Sequence, residues 1–138
     1  MSSGPIVTGR CLTSYNNLLH GVFPYITYEI SDDHTEIHVG REGYVSSYED
    51  VLSELLTDEC RFAIYKFTRR DFGKFDSRSR VILFIDWCPV DADIKAKNIY
   101  AASKDALINA LQGIDIVIHA TNLGDLSRDI VLDKIKCH

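Results

Sequence analysis

The chain has no apolar run near the roughly 18 residues that a membrane span requires. Its start, MSSGPIVTGR, lacks the long apolar stretch of a secretory leader, so the protein is expected in the cytoplasm. Low-complexity tracts and internal repeats are absent. The patterns GxGxxG, GxSxG and GxxxxGK followed by Ser or Thr do not occur, so no dinucleotide, serine-hydrolase or P-loop chemistry is signalled. The four cysteines, Cys11, Cys60, Cys88 and Cys137, form no CxxC pair, which argues against a zinc site or a thioredoxin-like motif. Reduced and mostly buried thiols are expected, with Cys137 exposed. His34 and His38 are four apart but fall across a turn and a strand, so they share no helical face on which to hold a metal. His119, on a strand, reads as a partly buried structural residue. Cys88 with a distant His could imitate a thiol nucleophile and base, but no flanking motif supports it. An α/β class implies no chemistry by itself. The sequence therefore points to no catalytic residue, metal or cofactor.

What is present is an ordinary globular balance. Of 138 residues, 46% are hydrophobic and 25% charged, enough to build one core without disulfides or metal. The net charge of -5 is uneven. Residues 1–60 carry two basic and ten acidic side chains, whereas residues 61–80 carry seven basic and two acidic ones. A basic cluster on an acidic protein implies an acidic partner surface or a solvated hairpin. Basic and aromatic residues also interleave there, but the isoelectric point of 5.4 argues against nucleic acid.

Periodicity gives the elements. Residues 8–20 predict a helix with Cys11, Leu12, Tyr15, Leu18 and Leu19 inward, Thr8 as N-cap and Gly21 as stop. Residues 24–30 and 35–40 read as strands around the turn Ser31-Asp32-Asp33-His34. A short helix over 47–56 begins with a capping-box-like start, Ser46 and Ser47 before Glu49 and Asp50. CRFAIYKF (60–67) and RVILFIDW (80–87) are strands, the second apolar enough for the sheet centre. The polar segment 68–79 between them reads as a loop or hairpin end. A long helix from about Asp93 to Leu111 stops at Gly113, followed by strand 114–119 and a helix over 127–136 with Ile130, Val131 and Ile135 inward. The fold class is α/β: one domain over residues 1–138, a mixed sheet of about five strands with helices on both faces.

On the long helix, 100° per residue puts Ile99, Tyr100, Ala106, Leu107, Ala110 and Leu111 on the sheet side. The opposite side holds Ile94, Asn98, Ala101, Ala102, Asp105, Ile108 and Asn109, flanked by Lys95, Lys97 and Lys104. Small side chains beside an exposed Ile would admit a partner closely.

The stretch WCPVDADIKAKNIYAASKDALINALQGIDIVIHATNLGDLS (87–127), with Tyr-Ala-x-Ser-Lys-Asp-Ala-Leu at its centre, resembles the actin-depolymerising factor/cofilin family. CRFAIYKF and the start Met1-Ser2-Ser3-Gly4 are further matches, so the resemblance spans essentially the whole chain. It implies an ADF-homology domain and a non-enzymatic, monomeric cytoskeletal protein. Such a protein binds monomeric and filamentous actin, prefers the ADP-bound form, and promotes severing and depolymerisation. By resemblance, Ser3, Gly4, Lys95, Lys97, Asn98, Ala101, Asp105 and Ile108 form a surface for monomer and filament. Arg78, Arg80, Asp133 and Lys134 form a surface for filament alone. Ser3, or its neighbour Ser2, matches the site where phosphorylation switches the family off.

The chain also departs from the family. Asn98 replaces a usual Met, and Ile108 and Asn109 replace usual basic residues, which weakens an apolar anchor and any phosphoinositide-binding patch. Pro5 stiffens the N-terminal arm, and the nuclear-import insertion of some vertebrate relatives is missing. The resemblance leaves two other roles within the fold: filament binding without severing, as in coactosin-like proteins, and binding the branching complex, as in glia maturation factor-like ones.

Overall fold

The computed structural model describes residues 4–55, 58–68, 71 and 80–136. Six strands form one mixed sheet: β1 (Ile6–Val7), β2 (Tyr25–Ile30), β3 (Glu36–Gly43), β4 (Arg61–Thr68), β5 (Arg80–Trp87) and β6 (Ile116–Ala120). Their order is β1-β3-β2-β4-β5-β6, with parallel pairing only at the two edges, β1 with β3 and β5 with β6. The helices are α1 (Gly9–Leu19), α2 (Tyr48–Leu52), α3 (Ile94–Ala110) and α4 (Arg128–Lys136), with a 3-10 turn at Leu123–Leu126.

Alternation along β4 and β5 divides the core into two layers. Phe62, Ile64, Ile82 and Phe84 face one side, where Cys11, Tyr15 and Leu18 of α1 meet Tyr100 and Leu107 of α3. Ala63, Tyr65, Phe67, Val81, Leu83, Ile85 and Trp87 face the other, against Tyr48 and Val51 of α2 and Val131 and Ile135 of α4. This is why the run 81–85 within RVILFIDW is continuously apolar: both its faces are covered. The helices on both faces thus agree with the sequence reading, and the strand count rises from five to six.

Several local expectations need correction. β1 is new; it is only two residues long and carries no period, and it is held by the Ile6 and Thr8 amides donating to the Thr35 and Ile37 carbonyls. β3 runs three residues further than read, because Gly40 is the extra residue of a bulge that lets Arg41 resume pairing with Thr27. Leu12 (44% exposed) and Ile130 (42% exposed) face outward rather than into the core. Ser14 is buried instead on α1, its hydroxyl donating to Glu42 at 2.6 Å. The α2 helix is shorter than read and Ser47, its N-cap, makes no side-chain cap bond; Asp50 instead accepts the amide of Ser46, one residue before the cap, at 3.0 Å. Thr8 is the N-cap residue of α1, but its hydroxyl makes no cap bond and lies 3.4 Å from the Cys11 sulfur. Cys11 and Cys60 are buried and Cys88 is half-buried, while Cys137 lies outside the described residues. Among the described residues, no helix is long and apolar enough to cross a membrane.

Candidate partner-binding surfaces

The α3 helix starts where Asp93 caps it, the carboxylate accepting the Lys95 amide at 3.0 Å. It ends at Leu111, and Gly113 follows with φ +97, a left-handed turn that glycine adopts at little cost. Tyr100 anchors the inner face. Its ring packs 5.1 Å from that of Phe62, and its hydroxyl accepts the Ile30 amide at 3.0 Å. Ser103 is buried with its hydroxyl returned to the Ile99 carbonyl at 2.6 Å. Leu107 and Leu111 complete the contact with the sheet.

The outer face presents Ile94, Lys95, Asn98, Ala101, Ala102, Asp105, Ala106 and Asn109, all exposed. Two assignments change. Ala106 faces solvent rather than the sheet, and Ile108 is half-buried against the core rather than outward. The inward stripe is centred on Tyr100, Ser103, Leu107 and Leu111, and its polar member hid the true rotation. Apolar exposure lies instead at the start of α3, where Ile94 is 71% exposed and Val90, in the preceding loop, 70%. Val90 lies outside any periodic element, so hydrophobic periodicity does not mark it.

The two basic residues at the helix start differ. Lys95 is exposed, and its ammonium has no hydrogen bond or ion pair among the described residues. Lys97 is half-buried and its ammonium donates to the Val90 carbonyl at 2.7 Å, which orders the loop and leaves two N–H groups for a partner. Lys104 turns back to Asp86 at 3.6 Å. Gly4 is exposed, and β1 just after it packs beside α3. Ser2 and Ser3 lie outside the described residues.

The second predicted surface is partly described. Arg78 lies outside the described residues, as do Arg69, Arg70 and Lys74 of the basic segment. Arg80 is exposed at the start of β5 and donates to the Leu19 carbonyl at 3.1 Å. Lys66 lies 3.4 Å from the Leu18 and Leu19 carbonyls, so two cations meet the C-terminal end of α1, where the helix dipole favours them. Burial, then the nearby Arg80, holds the Lys66 ammonium below its ordinary pKa. Asp133 and Lys134 are both exposed on α4, in the layer opposite α3. The structure therefore gathers Lys95, Lys97, Asn98, Ala101 and Asp105 on one helix and puts Asp133 and Lys134 on the far side of the sheet.

The histidines are not assembled for chemistry. His119 is more exposed than read: its ring accompanies the buried Asp86 at 2.8 Å, on an edge strand. His34 sits in the turn with φ 62, and His38 lies on β3. Among the described residues no three metal-ligating side chains converge.

The profile of the cofilin/tropomyosin-type actin-binding proteins matches residues 5–136. Cofilin of Mycosarcoma maydis is 44% identical over 137 residues, covering 98% of this chain and 96% of the relative. The cofilin crystal structure from Streptomyces griseoflavus superposes with a TM-score of 0.85 at 32% identity, covering 95% of this chain and 96% of that one. The chain belongs to the actin-depolymerising factor/cofilin family. Human coactosin-like protein shares the fold alone, at 18% identity, TM-score 0.82 and coverage of 97% and 99%.

Proposed function

We infer that this chain, an actin-binding cofilin-family protein that promotes filament depolymerisation, engages actin through two surfaces. The observation carrying the first is the outer face of α3. It sets two alanines and Asn98 beside Lys95 and a projecting Ile94, so a partner can approach the helix backbone and bury an apolar anchor. Lys95 and Lys97 supply charge for actin carboxylates. Gly4, with Ser3 by family resemblance, completes this surface, with Ala101 and Asp105 in the contact and Ile108 at its edge. The second surface, for filament alone, is Arg78, Arg80, Asp133 and Lys134.

No bond-breaking chemistry is required. A protein that binds one twist of the filament better than another shifts the population toward that twist, by no more than its differential affinity. That shift promotes fragmentation and subunit loss, with ADP-bound actin as the preferred form. The protein acts as a non-enzymatic monomer in the actin cytoskeleton. A phosphate on Ser3 or Ser2 would add about two negative charges to a surface meant to meet actin and oppose docking. Phosphoinositide binding is weak, because Ile108 and Asn109 carry no charge. A second reading, filament binding without severing, is favoured by Asn98, whose polar side chain stands exposed where an apolar anchor would bind more tightly.

Two double variants test the surfaces. Lys95→Ala with Lys97→Ala should weaken binding to monomer and filament alike. Arg78→Ala with Arg80→Ala should spare monomer binding and weaken filament cosedimentation. Equal losses for both variants on both forms of actin would contradict the two-surface assignment.

A further inference from the structure

Cys60 immediately precedes β4 and Cys88 immediately follows β5. The ladder between these strands ends with Arg61 opposite Trp87, so one more step of the register sets Cys60 opposite Cys88. Both belong to the α3 side of the sheet: Cys60 lies within that core layer and Cys88 packs against it. Their sulfurs are 3.8 Å apart. Directly opposed residues of an antiparallel ladder have Cα atoms about 4.5–5.5 Å apart, inside the roughly 4.4–6.8 Å that a disulfide spans. Bonding needs the sulfurs to close to about 2.05 Å, under 2 Å of travel. The side able to move is Cys88, half-buried at the start of the loop into α3.

The two thiols are not equivalent. Cys60 is buried, and desolvation, with Cys88 beside it, pushes its thiol up to about 12, so it is a poor first nucleophile. Cys88 is the one a small oxidant can reach. Cys11, the other described cysteine, is occupied with the Ile37 carbonyl and the Thr8 hydroxyl.

We propose that Cys60 and Cys88 are a disulfide-forming pair that a hydroperoxide oxidises, tethering the loop of residues 88–93 at the foot of α3. The Cys88 sulfur attacks one peroxide oxygen, the O–O bond breaks, and the departing hydroxide leaves as water with the Cys88 proton. The resulting sulfenic acid is attacked at sulfur by Cys60. The S–O bond breaks, and hydroxide leaves as water with the Cys60 proton. With hydrogen peroxide, two thiols and one peroxide give one disulfide and two waters. The tether shifts the loop whose Val90 carbonyl is held by Lys97, so the affinity of α3 for actin changes with redox state; this consequence rests on α3 being the actin-facing surface.

The test treats the full chain with stoichiometric hydrogen peroxide and digests it without reduction. Mass spectrometry should find the Cys60 and Cys88 peptides joined, less two hydrogens. The oxidised protein should melt about 10 °C higher, as a cross-link of this span constrains the unfolded chain. Dithiothreitol should reverse both, and Cys88→Ala, folded normally when reduced, should show neither. Unlinked peptides with Cys88 over-oxidised, or Cys88 joined to Cys137, would overturn the proposal. Filament cosedimentation of the linked protein should show several-fold weaker binding. Linked protein that binds as tightly as the reduced form would refute the α3 assignment while leaving the disulfide established.

Discussion

Removing the single oxygen of Tyr100 should loosen α3 from the sheet by a calculable amount. The β2–β4 ladder ends at Tyr28 opposite Phe62, so at Ile30 the strand has outrun that neighbour. The Tyr100 hydroxyl accepts the Ile30 amide at 3.0 Å, and both residues are only 8% exposed. Tyr100→Phe keeps the ring against Phe62 and opens no large cavity, but it orphans a buried N–H. That costs about 1–3 kcal/mol. For a domain of this size, about 3 °C of Tm is lost per kcal/mol, so thermal unfolding followed by circular dichroism should show a drop of about 3–9 °C. Tyr100→Ala should lose more, about 3–5 kcal/mol, because the ring contacts go as well. The hydroxyl lies on the inner face, so affinity for actin below the transition should stay within about twofold of wild type, since distant surfaces act independently. A Tyr100→Phe protein that melts with wild type would refute the view that this bond holds the helix.

Other perturbations separate stability from binding. Glu49 accepts two bonds from Arg128, at 2.8 and 2.9 Å, and these hold its carboxyl down at about 2 from an ordinary 4.5. The depressed folded value means that its stabilisation is present above about pH 4.5 and fades as pH falls toward 2. Because Glu49 is half exposed, the contribution stays below about 1 kcal/mol. Urea midpoints between pH 6 and pH 3 should fall less for Glu49→Gln than for wild type; parallel curves would contradict the pairing. Gly113→Ala should cost about 1–2 kcal/mol by urea unfolding, since φ is +97 and the new Cβ would sit 3.4 Å from the Tyr15 hydroxyl; a neutral result would contradict the strain. Arg80→Ala alone loses one exposed bond to the end of α1, worth less than about 1 kcal/mol, yet should measurably weaken filament cosedimentation. Unchanged cosedimentation would leave Arg80 as a helix cap only.

The sequence was most readable where burial was periodic. RVILFIDW announced a strand covered on both faces, and β5 occupies Arg80–Trp87 as read. The long helix was read within one residue at each end because an Asp cap and a Gly stop bracket it. Its rotation was misjudged because Ser103 is buried by bonding back to Ile99, a choice that side-chain polarity conceals. That error sent Ile108 outward and Ala106 inward. The Cys60–Cys88 pairing was invisible to spacing, as the residues are 28 apart and meet only once the β4–β5 register is known. Asp86 in an apolar strand was a signal left unused: a buried carboxylate requires partners, and Lys104 and His119 provide them.

Single actin filaments imaged by fluorescence, with purified protein added across a concentration series, separate severing from simple decoration. Wild type should produce breaks and faster shortening of ends, and Lys95→Ala plus Lys97→Ala should lose both at the same concentrations. Filaments that stay intact with wild type, decorated or bare, would contradict a severing and depolymerising function.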